Sequence, residues 1–162
     1  MTKLNPTPLG LAAALLLSLA HSAALAEPTQ QQHVHQMAHQ VMPFELGASI
    51  HLFKMTETGG RQRVVLREGQ DPEQIALIQR HLKHEAMRFQ QGDFGDPARL
   101  HGEMMPGLQA LQKGAKQIRI HYSPLPNGAE ITFETDDIHL LTAIHRWFGA
   151  QLSEHGADAK AE

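Results

Sequence analysis

Apolar and polar residues alternate along two pairs of short segments, and each pair is followed by a run with apolar positions every three to four residues. Alternation over Ala48–Phe53 and Gln62–Arg67 predicts two strands. Thr56-Glu-Thr-Gly59-Gly60 between them is a turn sequence that tolerates positive φ, so the pair reads as a hairpin. Asp71-Pro72-Glu73 then starts a helix, with Asp71 as the N-cap and Pro72 at the first helical position. Ile75, Ile78, Leu82, Ala86 and Phe89 carry its buried stripe to about Gln91, and Gly92 stops it. The stretch from Gly92 to Pro106 reads as a structured loop, and Pro106–Gly114 as one short further helix. The pattern then repeats. Gln117–Tyr122 and Ala129–Glu134 alternate around the turn Leu125-Pro-Asn-Gly128, and Asp136 and Asp137 open a helix through Ile138, Leu141, Ile144, Phe148 and Leu152 to about Gly156. Hairpin–helix written twice predicts an α+β two-layer sandwich: a four-stranded, mainly antiparallel sheet with two main helices on one face. His121, Glu130, Thr132 and Glu134 fall on the opposite face, and Phe89 and Phe148 under the helices.

The ends of the chain read differently. Residues 1–26 have Lys3 in a short polar head, an apolar run from Leu9 to Ala20, and Ala24-Leu25-Ala26 before Glu27. That is the pattern of a secretory signal peptide cleaved after Ala26, and the run is short of the roughly 20 residues a membrane span needs. The expected product is periplasmic or secreted, with no membrane span. Residues 27–42 form a polar lead-in rich in Gln and His, with little apolar surface to offset ordering entropy, and are expected to be mobile. A single domain over 43–158 and a tail at 159–162 complete the organisation.

Composition narrows the chemistry. There is no Cys, so neither disulfides nor thiolate sites are available. With 14 Lys and Arg against 17 Asp and Glu, the surface is a poor one for nucleic acid. Twelve histidines and seven methionines stand out in 162 residues. His81 and Glu85, four apart, project from one flank of the first long helix, a common helical chelate. His101, Met104 and Met105 follow in the expected loop, and imidazole with thioether is a soft donor set that suits copper. The metal-site candidate is therefore His81, Glu85, His101 and Met105, with His51, His145 and His155 as lesser candidates. Copper is preferred and zinc is the runner-up. His84 lies opposite the apolar stripe and reads as solvated. His155 reads as a helix C-cap whose protonated ring would favour the negative dipole end. Trp147, the only Trp, reads as packing.

No nucleophilic Ser or Cys motif, phosphate loop or dinucleotide turn occurs, which leans the reading away from an enzyme. The expected function is metal storage, delivery or resistance, with a metal ion and a periplasmic protein as partners. A metal-free interaction module, with histidines structural or titrating near about 6.5, is one alternative. A small zinc hydrolase is another.

PFELGASIHLFKMTETGG, DPEQIALIQRHLKHEAMRFQQGDFGDPARLHGEMMPGL and IHRWFGAQLSEHGAD together resemble a group of small exported bacterial proteins, often labelled aspartate carbamoyltransferase. The resemblance spans most of 43–158. It implies that His51, His81, Glu85, His101, Met105, His145 and His155 are shared wording. The label itself finds no support, because the Ser-Thr-Arg-Thr and His-Pro motifs of such an enzyme are missing.

Overall fold

A computed structural model describes residues 29–162. The expected signal peptide lies outside the described residues. Helix α1 spans Gln30–Val41, strands β1 and β2 span Ser49–Thr56 and Gly59–Leu66, and helices α2, α3 and α4 span Pro72–Gln90, Gly95–His101 and Leu108–Gly114. Strands β3 (Arg119–Leu125) and β4 (Gly128–Glu134), helix α5 (Ile138–His155) and strand β5 (Ala159–Ala161) follow. The class is α+β, as expected, and both hairpins and both long helices stand where the alternation and the helical stripes put them. Asp71 caps α2 by accepting from the amides of Glu73 and Gln74, and Asp137 caps α5 by accepting from those of His139 and Leu140.

The sheet has five strands in the order β3-β4-β2-β1-β5, not four. The hairpins join through β2 and β4, antiparallel, with Arg63 opposite Glu130. The fifth strand corrects the expected tail: β5 lies parallel to β1, with His51 opposite Ala159, so the sheet is mixed. Alternation decides what each face carries. Ile120, Ile131 and Phe133 are buried, whereas His121 and Glu134 are exposed and Glu130 and Thr132 half-buried. α2 packs on β3 and β4, and α5 on β1, β2 and β5. Phe89 and Phe148 are buried beneath these helices, as predicted.

The lead-in expected to be mobile is a helix. Thr29 and Gln32 form a reciprocal capping box at its start, and Val34, Ala38 and the following Met42 are buried in the main core. Those apolar positions at helical spacing dock α1 against α3 and α5, which offsets the ordering cost of an otherwise polar segment. The expected loop after Gly92 is also partly helical. Pro97 sits in the first turn of α3, where its missing N–H costs nothing, so His101 is the last residue of a helix. Gly107, with φ +85, begins α4; a Cβ there would lie 2.2 Å from the Ala143 carbonyl oxygen. Only glycine permits that close approach of α4 to α5. No helix among the described residues is long and apolar enough to cross a membrane.

Candidate functional site: a histidine-lined cavity

Four histidines from four elements meet beside one cavity of about 50 Å³: His51 on β1, His81 on α2, His101 on α3 and His155 on α5. Glu85, Asp96, Gln62, Gln151, Trp147 and Met42 also line it. At roughly 10–15 Å³ per water, the space holds a few waters, or one ion with part of its shell. The His51 and His155 rings stack at 4.8 Å with planes 19° apart, and the His155 and His101 rings meet edge to face at 5.0 Å. Phe44 closes the group, its ring 5.7 Å from His81 and 6.3 Å from His51.

The hydrogen bonds fix which nitrogens are available. His101 Nδ1 lies 2.8 Å from Glu154 Oε2, an acceptor, so Nδ1 carries the proton and Nε2 the lone pair. His155 Nε2 lies 3.1 Å from Gln151 Oε1, one turn back on α5. With Nε2–H donated there, Nδ1 is the lone-pair nitrogen, and it has no partner in the protein. His51 Nδ1, Gln62 Oε1 and Trp147 Nε1 are likewise buried without partners. Each such atom costs on the order of 1–3 kcal/mol. Four orphaned polar atoms around one small space are a concentrated expense, and they all belong to residues that line the cavity.

Burial keeps these imidazoles neutral. Desolvation lowers the pKa of His51 to about 3, with the nearby His81 and His101 adding to the effect. Desolvation likewise takes His81 to about 4. His155 is lowered well below the ordinary value by burial and then by His51 and His101. His101 is lowered by burial, with Glu154 opposing. Titration near 6.5, expected of a pH-responsive module, is not what His51, His81 and His155 do. At the far wall desolvation, reinforced by Asp96, raises the Glu85 carboxyl to about 7. Arg88 works against that rise, bonding Glu85 at 3.0 Å and Asp96 at 2.6 Å, but does not cancel it.

The expected donors are brought together in part. His81, Glu85 and His101 line one cavity. Met105 does not: it is a core residue bordering a separate groove between α4 and α5, with the exposed Met104 beside it. Its position on the chain suited a ligand, but the turn between α3 and α4 sends it away from the imidazoles. His145 is also elsewhere, its Nε2 2.8 Å from the Gly59 carbonyl and 3.0 Å from that of Thr56, tying α5 to the β1–β2 turn. His155 is not the expected protonated C-cap but the last residue of α5. Gly156, with φ +56, follows the helix, and the His155 ring is buried. His84 is exposed, as expected. Sequence reasoning missed Gln62, Asp96, Gln151 and Glu154. For Gln151 a signal existed, its four-residue spacing from His155; the Glu154–His101 contact crosses 53 positions and left none. Among the described residues, no group of three or more His, Asp or Glu side chains is arranged to hold a metal ion. The His51 and His155 rings are near-parallel, whereas an ion lies close to the plane of each imidazole that ligates it.

Comparison of the chain with models of protein families, with curated proteins and with solved structures finds no match.

Proposed function

We propose that this is an exported, periplasmic metal-binding protein whose ion sits in the histidine cavity, with copper preferred to zinc and a role in storage, delivery or resistance. One observation carries the reading. His101 and His155 each give one ring N–H to an acceptor on α5, which leaves the second nitrogen as a neutral lone pair beside a cavity of ionic size. Ligating imidazoles are held in this way in metal sites, where the outer acceptor fixes the tautomer and raises ligand basicity. Neutrality at pH 7 means that no proton has to leave before a metal binds. Loading would turn one of the stacked rings so that three lone pairs converge. His51, His101 and His155 are the donors on this reading, with His81 and Glu85 at the wall.

Nitrogen donors without thiolate favour Cu(II) over Zn(II) by the ordinary order of divalent affinities. The buried Met42, not Met105, offers a thioether on the same cavity. The periplasmic setting rests on the leader pattern of residues 1–26. The test is titration of the purified protein with Cu(II) and Zn(II) by calorimetry and native mass. The expected result is one ion per chain, copper held the tighter, and no binding in His155→Phe. A parent that takes up neither metal refutes the proposal.

A further inference from the structure

The cavity lies under α1, and α1 is lightly attached. It buries Val34 and Ala38, with Met42 at its end and Met37 partly buried against the core, and its other ties are a few side-chain hydrogen bonds. Gln30 Nε2 reaches Glu154 Oε2 at 3.1 Å and the His101 carbonyl at 3.3 Å, Gln31 Nε2 reaches the Ser153 carbonyl at 2.9 Å, and His35 Nδ1 lies 3.4 Å from Asp158 Oδ2. A groove of about 260 Å³ runs between α1 and the Gly156–Asp158 turn, with Gln31, Gln36 and His35 on one bank. His155 lines this groove and also lines the cavity, and it is the residue the two share.

We propose that the metal ion enters through this groove, taken first by the His35 imidazole and the Asp158 carboxylate and then by His155. This rests on the metal reading given above and extends it to a second, transient site for a divalent cation with one nitrogen and one oxygen donor. His35 is mostly exposed, with 68% of its side chain open to solvent, so it meets an incoming ion without rearrangement. Asp158 gives its other oxygen to Arg67 at 2.9 Å, which holds the carboxylate in place and leaves Oδ2 toward His35. That guanidinium also keeps the outer site weak, as a point of passage requires. The latch is connected to the interior. Glu154 Oε2 accepts from both Gln30 and His101 Nδ1, so movement of α1 loosens the residue that orients an inner imidazole.

Trp147, the only tryptophan, lines the cavity and reports on copper arriving there. Stopped-flow quenching of its fluorescence by Cu(II) measures entry, and transfer of the ion to a chelator measures exit. Gln31→Phe and Gln36→Phe narrow the groove from exposed positions on α1 and leave the inner donors intact. Each is expected to slow entry and exit alike, by about tenfold, with the equilibrium affinity unchanged. His35→Ala is expected to slow entry by about threefold at limiting copper. His39→Phe, one turn on from His35 in a neighbouring groove that His155 does not line, is expected to change neither rate. Parent-like rates in both groove variants, or slowing by His39→Phe alone, overturn the route. A parent that never binds copper overturns the metal reading instead.

Discussion

Two clusters of rings share the layer between sheet and helices, and they are built to similar spacing from opposite chemistry. Phe89, Phe94, Phe133, Trp147 and Phe148 stack and meet edge to face at 4.5–6.1 Å. His51, His101 and His155 do the same at 4.8–5.0 Å. The aromatic cluster gains burial and quadrupole contacts and leaves one polar atom, Trp147 Nε1, without a partner. The imidazole cluster fills comparable space while stranding two ring nitrogens and suppressing protonation. Phenyl rings would occupy that space more cheaply. On the proposed reading a ligand offsets that cost, so that one cluster stabilises and the other binds.

The comparison breaks first where the effect is largest. Phe89→Ala should cost about 3–5 kcal/mol in urea unfolding; a loss under about 1 kcal/mol would mean that the aromatic cluster is not the stabilising half.

Acid sharpens the contrast next. His51 and His81 have folded-state pKa values of about 3 and about 4 against an ordinary 6.5. Their folded-state values are depressed, so their contribution is whole above pH 6.5 and is lost as pH falls through that window. The ceiling is about 1.4 kcal/mol per group per pH unit. Glu85 acts the other way. Its folded pKa of about 7 exceeds the ordinary 4.5, so its contribution is present below 4.5 and declines as pH rises to 7. Glu85→Gln should therefore steepen the loss of stability between pH 6.5 and 4.5. Thermal melts across that range check this, and a flat profile in the variant would place the histidines in water.

The smallest effect is the most pointed. Met105→Leu should change stability by less than about 1.5 kcal/mol and leave copper affinity at the parent's value, as read by calorimetry. Spacing along the chain made Met105 a candidate ligand; in the fold its side chain is buried in the core cluster.

What the chain declared in advance depended on how local the determinant was. Both hairpins and α2 and α5 were legible, because alternation, the turns at Gly59-Gly60 and Asn127-Gly128, and the caps Asp71 and Asp137 act within a few residues. The pair His81 and Glu85 was legible for the same reason, being one helical turn apart. Strand β5 was not, since Ala159-Lys160-Ala161 has too little pattern to read and exists through pairing with β1. α1 was obscured by its Gln and His content, although Thr29-Gln30-Gln31-Gln32 is a capping sequence. His51, His101 and His155 are 50 or more positions apart, and no periodicity relates them. Tertiary packing alone made them neighbours.

The link from Gln30 to Glu154 spans 124 residues and that from Gln31 to Ser153 spans 122. Closing so long a loop carries an entropic cost that the two hairpins, whose partners are near in sequence, do not bear. The hairpins are accordingly placed to form early, and α1 to dock late, after α5 and β5 are in place. The same ordering runs in reverse under native conditions. Amides of α1 should exchange with solvent through a local opening well before those of β2 and β4 at the centre of the sheet. The histidines are thus the last part of the core to be shut and the first to be uncovered.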